Sequence, residues 1–189
     1  MRIRLFNLFL VIAALAIVIS SCKTPTGQAQ RDLEQEYLTK YLAKYHPGVS
    51  PKGSGLYFID STTVDTTGVP FIKAGDFVKV FYRGYLIEDN ATNGIQRGLL
   101  FDTYPDGYEP FSFTVGAGSV IAGWEEAMTY MKEGSEAKLI IPSKLAYSSQ
   151  QQTTIPAYSP LIFYIRVYKV YPAGSVLPTT IEFLPKSIK

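Results

Sequence analysis

From Gly55 onward the apolar residues recur at every second position, and that period sets what this chain can build. Leu56 to Ile59 is a short strand candidate and Phe77 to Leu86 a stronger one. In the latter, Val78, Val80, Tyr82 and Leu86 form an apolar face around Gly84. Phe77, Phe81 and Tyr85 alternate with Lys79 and Arg83 on the other. Phe111 to Val115, Ala137 to Ile141 and Leu161 to Val170 complete the set, closed by Gly116, Pro142 and Pro172. Only one core stretch, Val120 to Met131, carries a helical period, and Gly134 follows it. Strands around one short helix predict an α+β domain. The polar segment 88–100, with Asn90, Asn93, Gly94 and Gly98, reads as a loop.

Ahead of this domain the period is 3.6. Leu33, Tyr37, Leu38, Tyr41, Leu42 and Tyr45 share one stripe, which predicts a helix over 32–45 stopped by Pro47-Gly48. Asp32, Glu34 and Glu36 lie toward its start, Lys40 and Lys44 toward its end, as the helix dipole favours. Such a stripe docks on the domain or joins two copies. His46, at the helix end, reads as a solvated residue. The chain thus divides into a leader at 1–21, a tether at 22–30, a helix and linker at 31–54, a core domain at 55–171 and a tail at 172–189. A further strand candidate lies at 180–184.

The leader decides the compartment. Arg2 and Arg4 precede an apolar run from Leu5 to Ile19, a basic segment and hydrophobic core of the secretory kind. The run is short for a membrane span. Ile19-Ser20-Ser21-Cys22 resembles the lipobox of bacterial lipoproteins, with the chain's single cysteine at the acceptor position. That resemblance implies cleavage before Cys22 and acylation of its thiol and new amine. Two or more acyl chains anchor stably where one is marginal. Lys23, rather than Asp, follows the cysteine, which points to the outer membrane.

Composition removes other classes. Apolar residues are 47% of the chain, enough to bury a core. The formal charge is +2, but both leader arginines go with residues 1–21 and leave a neutral chain, so no bulk attraction for nucleic acid remains. One Cys and one His exclude a disulfide and the usual zinc clusters. There is no P-loop and no G-x-S-x-G elbow. Gly116-Ala117-Gly118 lacks the third glycine and βαβ setting of a dinucleotide site and reads as a turn. Glu125 and Glu126 are neighbours on a helix, diverge by about 100°, and make a poor acid–base pair.

What remains is a density of aromatics near strand ends: Tyr82, Phe101, Phe111, Trp124, Tyr147 and Phe163. Their setting is a series of motifs in one order. The first are Val80-Phe81-Tyr82-Arg83-Gly84-Tyr85-Leu86, Phe101-Asp102-Thr103 and Pro110 to Gly116. Val120-Ile121-Ala122-Gly123-Trp124-Glu125-Glu126-Ala127 follows, then Gly134 to Pro142, Ala146-Tyr147, Ile155-Pro156 and Leu161-Ile162-Phe163. Over residues 55–171 this order resembles the FKBP-type peptidyl-prolyl cis-trans isomerases.

The resemblance implies a curved antiparallel sheet wrapped around one short helix, with the pocket between them and the N-terminal helix as an extension. It implies catalytic roles for Tyr82, Asp102, Tyr147 and Phe163. It implies substrate-binding roles for Phe101, Phe111, Val120, Ile121, Trp124 and Ile155, with Trp124 as the floor. Asp102 is the pocket carboxylate, Tyr147 a donor to a bound carbonyl, and Ile155 an apolar contact of the loop. No cofactor or metal is implied. The expected partners are proline-containing polypeptides, and the membrane through the lipid anchor. The expected function is prolyl isomerisation that assists folding of exported proteins at the cell envelope. The alternative is a non-catalytic binding or chaperone lipoprotein on the same fold, in an envelope complex.

Two departures from the family pattern stand out. The usual Ala-Tyr-Gly-x-x-Gly loop is here Ala146-Tyr147-Ser148-Ser149-Gln150-Gln151-Gln152-Thr153-Thr154. Without glycine, a positive φ costs energy there, so the loop is expected to take another path. The segment 89–100 is longer than the family's short turn and is expected to cover one side of the pocket.

Overall fold

A computed structural model of the protein describes residues 27–177. Cys22, the residues before it and the strand candidate at 180–184 lie outside the described residues. The elements are α1 (Gly27–Tyr45), β1 (Tyr57–Asp60), β2 (Phe77–Asn90), β3 (Gly94–Tyr104), β4 (Phe111–Thr114), α2 (Ala122–Met128), β5 (Glu136–Ile141) and β6 (Leu161–Tyr171). A 3₁₀ turn spans Ser143–Leu145. The strands form one antiparallel sheet in the order β1-β5-β6-β2-β3, and β4 also pairs with β2. β4 takes the first four residues of β2 and β3 takes the rest. This is the α+β architecture expected from the alternation, with one short helix against the sheet and a longer one preceding it.

The sheet buries both faces where β2, β5 and β6 meet. On the inner face Val78, Val80, Tyr82, Leu139, Ile141, Phe163, Ile165 and Val167 pack on Trp124, Ala127, Met128 and Met131. Gly123 lets α2 lie close to β5, because a Cβ there would stand 2.6 Å from Ile141 Cγ2. On the outer face Ile87, Ile95, Ile140 and Ile162 pack on Leu38 and Tyr41 of α1. Double-sided burial explains why Leu139-Ile140-Ile141 and Leu161-Ile162-Phe163 are continuous apolar runs rather than alternating ones.

The structure differs from the sequence expectations at several places. α1 begins at Gly27, so it takes up residues read as tether and starts before Asp32; its first turn holds no acid. Leu33 is exposed and Glu34 is buried in the stripe instead. α2 ends at Met128, although Met131 remains buried through the turn that follows. The segment read as a loop at 88–100 is the far end of a long hairpin. Asn90 Oδ1 accepts the Thr92 and Asn93 N–H groups and shapes its turn. Its polar residues concealed the strand because only Ile87 and Ile95 need burial, and both are buried against α1. The hairpin is therefore a seat for α1 and not a cover over the pocket: Lys40 Nζ reaches Asp89 at 3.0 Å and Lys44 Nζ donates to the Ile95 carbonyl. His46 is not simply solvated: its Nε2 lies 2.6 Å from Lys138 Nζ on β5.

Candidate functional site

Trp124 sits in the first turn of α2, buried against the inner face of the sheet. Three rings meet it nearly edge-on. Tyr82 of β2 is at 4.9 Å and 88°, Phe163 of β6 at 5.1 Å and 84°, and Phe111 of β4 at 6.1 Å and 83°. Edge-to-face packing of this kind suits the ring quadrupoles and holds the walls in fixed orientations. Phe101 of β3 stands edge-on to Phe163 at 5.5 Å. It can do so because Gly84 lies between them on β2: a Cβ on Gly84 would be 2.7 Å from Phe101 and 2.8 Å from Phe163. The five rings come from four strands and one helix, brought together by the register of the sheet. Ile155 is buried in the same cluster, with Val120, Ile121 and Tyr147 packed at its margin.

The polar groups gather on one side. Tyr82 donates its hydroxyl to Asp102 Oδ2 at 2.5 Å. Asp102 Oδ1 accepts the Thr103 N–H at 2.8 Å, and Thr103 Oγ1 donates to the Tyr82 carbonyl at 3.1 Å. Burial, and then the hydrogen bond to Asp102, push the Tyr82 phenol well above its ordinary pKa. Burial also raises Tyr147, with the Asp102 charge as a second cause. Both phenols therefore keep their protons at neutral pH. The Trp124 indole N–H is buried and has no hydrogen-bond partner among the described residues.

The loop after β5 holds Tyr147 through its 3₁₀ turn. The loop adopts a positive φ without glycine: Ser148 has φ 53, and Tyr158, beyond the segment 148–154, has φ 59. Ser148 makes the left-handed turn without glycine, its N–H bonded to the Ser143 carbonyl at 2.8 Å. Gln151 is not among the positive-φ residues. At the entry to α2, Glu125 accepts the Gly116 N–H at 2.6 Å and the Gly118 N–H at 2.9 Å. Both of its oxygens thus clamp the turn, a structural use that suits neither acid nor base catalysis.

All ten residues singled out in the sequence come together around Trp124 or at the margin of its cluster. Sequence reasoning missed Tyr104, which stacks on Tyr82 at 5.4 Å and meets Phe111 at 5.4 Å. Had 94–104 been read as a strand, its position two residues after Asp102 would have placed it on the same face. A groove of about 340 Å³ has Tyr85, Arg97, Tyr164 and Arg166 in its lining and also borders Tyr82 and Tyr104. Among the described residues, no three His, Cys, Asp or Glu side chains are grouped so as to hold a metal ion.

Comparison with known proteins adds independent findings. A family model described as FKBP-type peptidyl-prolyl cis-trans isomerase matches residues 68–168. An FK506-binding protein of Neisseria meningitidis serogroup A is 38% identical over 96 residues, which are 50% of this chain and 88% of that protein. FK506-binding protein 2 of Debaryomyces hansenii is 39% identical over 103 residues, 54% of this chain and 68% of that one. A crystal structure of a peptidyl-prolyl cis-trans isomerase from Pseudomonas syringae superposes with a TM-score of 0.60 at 28% identity, covering 78% of this chain and 98% of the other. FkpA from Escherichia coli superposes with a TM-score of 0.58 at 27% identity, covering 92% and 71%.

Proposed function

Because the chain belongs to the FKBP-type peptidyl-prolyl cis-trans isomerase family, we propose that the bowl around Trp124 is where it turns Xaa–Pro bonds, and that its substrates are exported polypeptides at the bacterial cell envelope. The observation that carries the site is the meeting of Tyr82, Phe111 and Phe163 edge-on around one indole.

The reaction breaks no covalent bond. Its barrier, about 18–20 kcal/mol, is the loss of amide resonance on twisting. The planar amide is charge-separated and water stabilises it; the twisted amide is less polar. A bowl of aromatic walls that admits proline and excludes water therefore disfavours the planar form relative to the twisted one. Acceleration of about 10⁴-fold needs only about 5.5 kcal/mol of differential binding.

The polar groups divide the remaining work. Tyr82 donates its O–H to Asp102, so it turns lone pairs, not an O–H, toward the bowl. On twisting, the carbonyl carbon loses electron density from nitrogen, and an oxygen-lined wall stabilises it. Tyr147 keeps its proton and serves as the donor to a carbonyl oxygen. The Ile121 carbonyl is taken by the Trp124 and Glu125 N–H groups, so this segment meets a substrate backbone through its N–H.

The envelope role rests on Ile19-Ser20-Ser21-Cys22. A lipid on Cys22, with the outer membrane as its address, would hold the bowl within reach of chains emerging from export. Two experiments test the reading. Turnover of a proline tetrapeptide measures the isomerase site; a folded protein that binds the peptide without turning it over would favour the non-catalytic alternative. Metabolic labelling with a fatty acid measures the anchor: label is expected on the wild type and absent from Cys22→Ser, which should leave the outer-membrane fraction. Equal labelling of both would end the lipoprotein reading.

A further inference from the structure

α1 lies outside the stretch 68–168 that matches the family, yet two residues one turn apart on it reach into the loop that carries Tyr147. Glu34 is the acid that replaces an apolar residue in the buried stripe, at 7% exposure. Its carboxylate accepts the Ser143 N–H at 2.5 Å and the Ser143 hydroxyl at 2.7 Å. These are charge-assisted bonds, short and strong, to the first residue of the 3₁₀ turn. Ser143 is gripped from the other side as well, since its carbonyl accepts the Ser148 N–H. Tyr147 lies between these two anchor points. Arg31 sets the far end of the loop: its guanidinium lies 5.5 Å from the centre of the Tyr158 ring and donates to the Tyr158 hydroxyl at 3.4 Å. The Tyr158 N–H in turn donates to the Ser148 carbonyl at 2.7 Å.

Among the described residues, Ser148 and Tyr158 are the two that are not glycine and have a positive φ. Such backbone costs free energy and persists where surrounding contacts over-determine it. Here those contacts lead back to α1, and α1 is itself fixed to the sheet by Leu38 and Tyr41.

We propose that Glu34 is a positioning residue of the isomerase: through Ser143 it fixes the loop that places Tyr147 over the bowl, making α1 a strut that sets substrate affinity. The proposal rests on the reading of the bowl as the substrate site. It predicts that loss of Glu34 raises KM more than it lowers kcat, because the loop then has to be ordered by the substrate.

The test compares four variants of the full chain on a proline tetrapeptide, with a thermal melt for each. Glu34→Ala is expected to lower kcat/KM about tenfold, mostly through KM, as a displaced positioning loop would. Glu34→Gln keeps one acceptor for the Ser143 N–H and is expected to recover most of that loss. Ser143→Ala removes the hydroxyl bond alone and should fall between wild type and Glu34→Ala. Ile72→Ala weakens the core outside the cluster that α1 joins; it should lower Tm while kcat/KM stays within about twofold of wild type. A folded Glu34→Ala protein with wild-type turnover overturns the proposal, as does an Ile72→Ala protein that loses as much kcat/KM. If Glu34→Ala does not fold, wild-type KM in both Glu34→Gln and Ser143→Ala overturns it. Asp102→Val separates the two readings: if it too turns over normally the bowl is not the site, and if it is impaired while Glu34→Ala is not, the strut alone fails.

Discussion

Asp102 accepts the hydroxyl of Tyr82 at 2.5 Å although the two residues are not opposite one another in the sheet. In the register of β2 and β3, Tyr82 faces Tyr104 and Asp102 faces Gly84. The bond runs along the diagonal, across a position that has no side chain. Gly84, on that diagonal, also makes room for Phe101 and Phe163.

The pair should matter to turnover more than to folding. Asp102→Val is expected to keep the fold and lower kcat/KM on a proline tetrapeptide about tenfold, the worth of one hydrogen bond to a charged group. Tyr82→Phe should fall in the same direction. Steady-state kinetics beside a circular dichroism melt checks both. Wild-type turnover in folded Asp102→Val removes the carboxylate from the mechanism.

Gly84→Ala should narrow the bowl. The new Cβ meets two rings below van der Waals distance. We expect a loss of about 1–3 kcal/mol in urea unfolding, the usual range for overpacking, together with weaker peptide binding. A variant as stable as wild type would mean that the rings move freely.

Ser148→Gly and Gln151→Gly should behave differently. Ser148 holds φ 53, a conformation about 1–2 kcal/mol uphill for a residue with a Cβ. Glycine there relieves the loop and is expected to raise tetrapeptide turnover. At Gln151 nothing is relieved, and glycine adds only freedom to the unfolded chain, a loss of about 0.5–1 kcal/mol. Equal effects from the two substitutions would show that the backbone angle is irrelevant.

The end of α1 should be sensitive to acid. Burial, and then the charge of Lys138, lower the pKa of His46 below its ordinary value of 6.5. Below about pH 8 Lys138 is an ammonium with only donors, so His46 accepts through Nε2 and is neutral in that contact. Tyr41, whose hydroxyl is 3.0 Å from Lys138 Nζ, and the Arg97 charge complete the surroundings. A depressed folded pKa gives stability that is present above the unfolded value and lost as pH falls from about 6.5 toward the folded one. The urea midpoint should therefore drop between pH 7.5 and 5.5, and His46→Gln should flatten that fall. Lys138 is itself pulled down to about 8, chiefly by burial. Its neutral form is favoured in the folded state, so its contribution improves as pH rises above about 8. Parallel profiles for wild type and His46→Gln would refute the assignment to His46.

Trp124 is the chain's single tryptophan and is buried at the floor of the bowl. Its emission should lie to the blue of exposed indole and change when a proline peptide binds. Phe163→Ala, which removes a wall at 5.1 Å, should red-shift the emission and cost about 3–5 kcal/mol. An emission spectrum indifferent to saturating peptide would place the peptide elsewhere.

The alternation of Val78, Val80 and Tyr82, the helical stripe of Leu38, Tyr41 and Leu42, and the order of the aromatic motifs were all legible in the sequence. They depend on local geometry: side chains two apart share a strand face and side chains three or four apart share a helix face, whatever the rest of the chain does. That was enough to obtain the strands and the short helix; the antiparallel sheet and the residues that gather around Trp124 came through the family resemblance that the motif order carries.

The far half of the hairpin was not legible, because segment 88–100 exposes most of its side chains and buries little beyond Ile95. Glu34 was not legible either. On the stripe it reads as one more acid near a helix start, and only packing shows that it is buried with both oxygens bonded to Ser143, 109 residues later. The same holds for Tyr82 and Asp102, which meet across Gly84 only once β2 and β3 adopt their register. Periodicity determines which side chains are turned inward. Which polar atom each of them meets there depends on contacts between distant segments, and the tertiary structure alone decides those, because a buried donor or acceptor must find a partner wherever the packed chain brings one.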